Sequence, residues 1–188
     1  MNSQRLILVT GASGYVGGRL VRDLVEDNCL VRILVRDAQK VSEQPWANKV
    51  EIVEGNANSP SDLRRALSGV HTAFYLLHSI NAGKNFDEVE SAMAKNFAES
   101  AQAENVSQIV YLGGIANDQN RSQHLASRMN TGALLASGKV PVLELRAGII
   151  IGSGSASFEM LRHLTHRLPI MTTPKWVSNL TQPISIRD

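Results

Sequence analysis

Arg5-Leu-Ile-Leu-Val-Thr-Gly11-Ala-Ser-Gly14-Tyr-Val-Gly17-Gly-Arg-Leu-Val21 is the stretch from which the rest of the chain is read. Leu6 to Val9 is a short apolar run ending in Thr-Gly. Apolar residues then recur at Val16, Leu20, Val21, Leu24 and Val25, the spacing of one helix face. The stretch therefore predicts a strand, a tight glycine turn and a helix. Glycines let the backbone turn sharply and come close to a ligand. A helix start adds unpaired N–H groups at the positive end of its dipole, so the turn suits a phosphate. Gly17 lets the helix lie close to the strand. The spacing is Gly-x-x-Gly-x-x-Gly and not Gly-x-Gly-x-x-Gly, yet its place between strand and helix is that of a dinucleotide loop.

Thr10-Gly-Ala-Ser-Gly-Tyr-Val-Gly17 resembles the cofactor loop of the extended and atypical short-chain dehydrogenase/reductases, which include nucleotide-sugar epimerase-like and NmrA-like proteins. The similarity continues through most of the chain. It implies an NAD(P)-binding Rossmann fold in which Gly11, Ser13, Gly14, Tyr15, Val16 and Gly17 hold the pyrophosphate.

Composition sets the outer bounds. A chain of 188 residues, 43% hydrophobic and 19% charged, is long enough for one well-buried domain. Its 19 Lys and Arg against 17 Asp and Glu give +2 without a long basic run, which argues against a nucleic-acid surface. Cys29 stands alone and cannot form an internal disulfide, and no apolar run approaches the ~18 residues of a membrane span. The chain enters its first strand within a few residues, leaving no room for a secretory signal. These features together predict a soluble cytoplasmic protein.

Leu30–Val35 reads as a second strand, ending at Arg36-Asp37. An acid at that place takes the ribose 2′-hydroxyl of NAD, whereas an arginine accommodates the 2′-phosphate of NADP. Arg36 favours NADP, with Lys40 as a second phosphate contact. NAD stays possible, because Arg36 could equally be a loop charge paired with Asp37 or Glu54. Val50–Glu54 is a third strand, followed at the carboxyl edge by Gly55-Asn56-Ala57. The resembling family commonly has Gly-Asp there, the acid reading the adenine amino group. Asn56 keeps an acceptor in its amide oxygen, and Ala57 follows beside it. Ser59, Pro60 and Asp62 start a helix as N-cap, N1 and N3, and Gly69 stops it.

Val70–Leu77 is the fourth strand, and by the resemblance the backbone near Leu77 lies beside the cofactor riboses. His78 reads as a hydrogen-bonded loop residue, and Asn81–Asn85 as a flexible loop. From Phe86 onward Val89, Met93, Phe97 and Ala101 form a helical stripe that reads as core. Ser107–Leu112 is the fifth strand and runs into Gly113-Gly114.

The resemblance also locates the chemistry. The family keeps a serine or threonine just past the fifth strand, where this chain has glycines; Gly113 then serves close approach only. It keeps Tyr-x-x-x-Lys on the next helix, here Ser122–Ala136, where the sequence reads His124-Leu-Ala-Ser-Arg128. His124 is the candidate proton donor and Arg128 the candidate holder of ribose or phosphate. A plain surface helix with His and Arg four apart is the other reading. Val140–Arg146 is the sixth strand, and Ala147-Gly begins a segment similar to the family's nicotinamide-flanking turn, placing Ala147 at the cofactor.

A short helix carrying Phe158 and Leu164 follows. His163 and His166 share a face of it without a third ligand at metal spacing, so no metal site is expected. Pro169 and Pro174 break the chain, Trp176 is an aromatic anchor, and Gln182–Ile186 is a last strand. Asp188 would cap a helix that does not follow. Residues 1–188 thus read as a single NAD(P)-binding domain lacking part of the substrate-binding region.

The sum is a doubly wound α/β fold with a parallel sheet in order 3-2-1-4-5-6 and helices on both faces. The expected function is an NADP(H)-binding oxidoreductase or epimerase-like protein acting on an unidentified small molecule. The alternative is a regulator or assembly protein that senses the cofactor and catalyses nothing, which the missing serine, tyrosine and lysine favour. An interaction module with an empty cleft would leave the glycine loop without a purpose.

Overall fold

The computed structural model describes residues 5–78, 86–115, 122–167 and 182–188. Asn81–Asn85 and the stretch from Pro169 to Trp176 lie outside these. The chain divides into two compact units, Met1–Leu145 and Arg146–Asp188, each taken by itself.

Strands and helices alternate as β1 (Leu6–Thr10), α1 (Tyr15–Glu26), β2 (Leu30–Val35), β3 (Glu51–Glu54), α2 (Pro60–Leu67) and β4 (Thr72–Tyr75). They continue as α3 (Phe86–Ala103), β5 (Gln108–Gly114), α4 (Gln123–Ala136) and β6 (Val142–Ala147). The sheet runs β3-β2-β1-β4-β5-β6, as the sequence predicts. β1 pairs in parallel with β2 (Leu6 opposite Leu30) and with β4 (Ile7 opposite Thr72), and β4 pairs in parallel with β5. The order reverses beside β1, which opens a crevice at the strands' carboxyl ends.

Parallel strands are covered on both faces, so successive residues feed opposite cores. Leu8, Leu34, Tyr75 and Tyr111 face α2, α3 and α4 and pack with Leu63, Phe97 and Leu135. Val9, Ile33 and Val35 face the other way, onto Val21 of α1 and the buried Trp46. Tyr75 meets Phe97 edge-on at 4.9 Å and Tyr111 at 6.0 Å, geometries favoured by the ring quadrupole.

β4 is shorter than the Val70–Leu77 read from the sequence. The buried Thr10 explains its carboxyl end: Oγ1 donates to Phe74 O (2.9 Å) and accepts from Leu76 N (3.2 Å), drawing Leu76 out of the ladder. The amino end of the sheet is closed by Arg32, which donates to Ala66 O (2.9 Å) and Ser68 O (2.7 Å) and pairs with Glu51 (2.9 Å). In the second unit, β7 (Ile150–Ile151) pairs in parallel with β8 (Ile184–Ser185), and α5 (Ala156–Arg167) lies between them in sequence. The expected Gln182–Ile186 strand is thus two residues long.

Two glycines set the turn after β1. Gly11 has φ +73°, and a Cβ there would lie 2.6 Å from Leu76 O. A Cβ on the buried Gly17 would run into the Gly11 carbonyl and the Ala12 backbone, so α1 approaches the turn as closely as a bare backbone permits. Gly17→Ala gains ~1 kcal/mol of helix propensity but overpacks a backbone contact, typically costing ~1–3 kcal/mol and occasionally more. The expected net is a loss of ~1–2 kcal/mol, read as a lower urea midpoint at unchanged slope.

Candidate functional site

A cleft of about 640 Å³ opens at the carboxyl ends of β1 to β4. Gly11, Ser13, Gly14, Tyr15, Val16 and Gly17 all line it, as the sequence predicts. The start of α1 differs from those of α2 and α4. Ser59 Oγ accepts from Asp62 N at α2, and Ser122 Oγ accepts from Leu125 N at α4, both at 3.3 Å. α1 begins at Gly14 with no side-chain cap and no acid in its first turn. Its N–H groups and dipole end are therefore turned to the cleft without a protein anion, which is what a pyrophosphate requires. Gly14 itself has an ordinary φ of −86°, and its Cβ would meet only Gly11 O at 3.2 Å. A side chain there is compatible with the backbone but takes space from the cleft.

Arg36 lies exposed in the wall beyond β2. The carboxylates that might have paired with it are engaged elsewhere: Asp37 accepts from Gln39 N (3.0 Å) and Glu54 from Ala38 N (3.3 Å). Lys40 is exposed on the 3₁₀ turn Ala38–Val41 and is not part of the cleft wall. Asn56 and Ala57 line the cleft past β3. Asn56 Oδ1 already accepts from Asn58 N (3.0 Å), leaving its second lone pair for a ligand. The Asn56 N–H donates to Asp62 Oδ2 (3.0 Å) and, with Arg65 helping, holds that carboxyl below its usual range. Arg65 also donates to Glu54 O (2.6 Å).

At the other end the wall is made by Leu76, Leu77, His78, Val89, Met93 and Leu112. Leu77 was expected there. Val89 and Met93 correct the reading of the α3 stripe as core alone, since they also face the cleft. Gly113 is not in the cleft wall; a Cβ on it would meet Glu144 Oε1 at 2.5 Å, so its bareness admits the Glu144 side chain. Ala147 is the last residue of the edge strand β6 and belongs to the second unit.

His124 and Arg128 come together with His78 and Glu90 around a second cavity of about 170 Å³. Arg128 donates to Leu112 O (2.9 Å), and its own carbonyl accepts from the Tyr111 hydroxyl (2.8 Å). Glu90 is buried on α3, its Oε2 accepting from the buried Ser127 Oγ at 2.6 Å. Its Oε1 lies 3.9 Å from His78 Nδ1. Desolvation first, then the Arg128 guanidinium, push the His78 pKa down to about 4 against the pull of Glu90. Burial raises both the Tyr75 and Tyr111 phenols.

The sequence reading took His78 for a plain loop residue and passed over Glu90. His78 gave no pattern of its own. Glu90 gave one: positions 90, 93, 94, 97 and 101 form the inward face of α3, and an acid there is costly unless partnered.

Residues 11–139 match the model of a family described as NAD(P)H-binding. The chain belongs to this NAD(P)H-binding family. It is also 27% identical over 173 residues to a ceramide reductase of Caulobacter vibrioides, covering 90% of this chain and 54% of that protein. Among solved structures it resembles Pen from Bacillus thuringiensis, with TM-score 0.82 and 13% identity over 98% of this chain and 62% of that one. It also resembles the triphenylmethane reductase of Citrobacter sp. complexed with NADP(H), with TM-score 0.69 and 23% identity over 85% of this chain and 54% of that one. The chain thus spans about half the length of the ceramide reductase it matches. Among the described residues no helix is long and apolar enough to cross a membrane.

Because Gly14 is unstrained and lines the cleft, Gly14→Val should retain the circular dichroism spectrum of the parent. Its affinity for reduced dinucleotide, followed by fluorescence titration, should fall about 100-fold or more, as expected when ~3 kcal/mol of pyrophosphate contacts is lost.

Proposed function

We propose that this NAD(P)H-binding protein is a cytoplasmic oxidoreductase or epimerase-like enzyme of the atypical short-chain type, using NADP(H) in preference to NAD(H). The observation that carries the reading is the uncapped start of α1 sharing one cleft with an exposed Arg36. Gly11, Ser13, Gly14, Tyr15, Val16 and Gly17 would hold the pyrophosphate, Arg36 the 2′-phosphate and Asn56 the adenine edge. The backbone near Leu77 would flank the riboses. When bound, the dinucleotide supplies a hydride donor or acceptor at its nicotinamide ring. His124 and Arg128, on one face of α4, would meet the substrate's reacting oxygen in the smaller cavity. The two reductases among the similar proteins support this chemistry, and the apolar wall of Leu77, Val89 and Met93 suits a substrate with an apolar body.

A second reading, a cofactor-sensing regulator, is favoured by one observation. Gly113, Gly114, His124 and Arg128 stand where the short-chain enzymes keep serine, tyrosine and lysine. Turnover separates the two: NADPH consumption with a panel of quinones, aldehydes and ketones supports the enzyme, and tight NADPH binding without any consumption supports the regulator.

Arg36→Ala should weaken NADPH binding by about 10- to 100-fold, the worth of a charge-assisted contact of ~1.5–3 kcal/mol, and leave NADH binding nearly unchanged. Calorimetric titration of both cofactors measures this, and equal affinities in the wild type would refute the preference.

A further inference from the structure

We propose that His78 is a catalytic residue of this site, its Nε2 taking the proton of a substrate hydroxyl as the alcohol carbon is oxidised to a carbonyl, with Glu90, fixed by Ser127, as its positioning residue. The proposal rests on the oxidoreductase reading above and names the class of substrate, a neutral alcohol or its carbonyl partner.

The first support is location. His78 lines both the large cleft and the small cavity, whereas His124 lines only the small one and is exposed. A proton acceptor must reach the reacting oxygen on the side where hydride leaves, and His78 stands at that junction. The second support is orientation. Glu90 has one oxygen occupied by the Ser127 hydroxyl at 2.6 Å and the other toward His78 Nδ1 at 3.9 Å. A carboxylate on that side favours the tautomer protonated at Nδ1, which leaves the Nε2 lone pair as acceptor. A Ser–Glu–His sequence of this kind is the arrangement in which a third group orients a base.

The third support is charge. Among the described residues, the ionisable groups around the ring are Glu90 from α3 and His124 and Arg128 from α4, with the Tyr111 hydroxyl of β5 bonded to the Arg128 carbonyl. A buried carboxylate beside a guanidinium and two imidazoles suits a group that both donates and accepts. It disfavours an anion at the reacting end.

The step balances in both directions. In oxidation the O–H bond breaks toward Nε2, the electron pair left on oxygen forms the carbonyl, and the C–H pair departs as hydride to the oxidised dinucleotide. The resulting imidazolium is acidic beside Arg128 and releases its proton to solvent. In reduction the ring must first be protonated, so the reductive rate should rise as pH falls.

Two measurements test this. Nitrogen-15 spectra of the histidine rings, with His78 identified by the signals missing from His78→Gln, read the tautomer without any substrate. A ring protonated at Nδ1 in the wild type, with that preference lost in Glu90→Gln, is expected. A ring protonated at Nε2, or one indifferent to Glu90→Gln, overturns the proposal and leaves the cofactor reading intact.

The second is NADPH-driven reduction of 4-nitrobenzaldehyde and 9,10-phenanthrenequinone between pH 8 and 6. For a group titrating near 4, kcat/KM should rise about tenfold per unit of falling pH, and His78→Gln should be about 100-fold slower with a flat profile. His78→Gln within a few-fold of wild type overturns the proposal alone. A loss of NADPH affinity as large as the loss of rate also overturns it, by making His78 a cofactor contact. A wild type that binds NADPH but reduces neither probe overturns the oxidoreductase reading together with this one.

Discussion

The contact between Gly17 of α1 and the Gly11 carbonyl in the turn after β1 is the constraint on which the rest depends. Only with both residues bare can the helix start lie this close to the end of the central strand. That closeness turns the N–H groups of the first turn toward the cleft instead of over its rim. Thr10, one residue earlier, ties the ends of β1 and β4 through a single hydroxyl, and so fixes where Leu76, Leu77 and His78 leave the sheet. One short segment thus places the phosphate cradle and one wall of the opposite end.

The two ends of the cleft are built on different physics. The α1 end relies on the backbone, with uncapped N–H groups and one exposed guanidinium, and among the described residues of its wall no charge is buried. The other end buries a carboxylate, which is costly unless hydrogen-bonded and faced by cations. Ser127 supplies a hydrogen bond from α4, and the His78 ring lies 3.9 Å away on a loop far off in sequence. Such a cluster adds little to stability compared with an apolar filling. What it provides is a defined orientation for each polar atom.

The fold and the phosphate end were legible in the sequence because their signals are local. Apolar runs, helical spacing, the Ser59-Pro60 start and the glycine spacing each fall within about twenty residues, and the strand order follows from their alternation. Arg36 was placed from the sequence in the same local way, as the residue just past β2, and it lies in the cleft wall. The polar cluster was not, since His78, Glu90, Ser127 and Arg128 meet only after α3 and α4 pack. Arg128 was named from its place on α4, and Glu90 had a local signal as an acid on an inward helix face, but nothing local joined the four. At Gly113 bareness in a sequence does not say what fills the space, and in the structure a glutamate from the neighbouring strand does.

α2 has a consequence of its own. Arg32 holds the Ala66 and Ser68 carbonyls at its C-terminal end, while Asp62 in its first turn accepts from Asn56 N and Arg65 in its last turn donates to Glu54 O. The segment after β3 is therefore held by a helix tied to both β2 and β3. Ordering that segment draws on the free energy of folding, so any ligand that meets Asn56 finds little loop entropy left to remove.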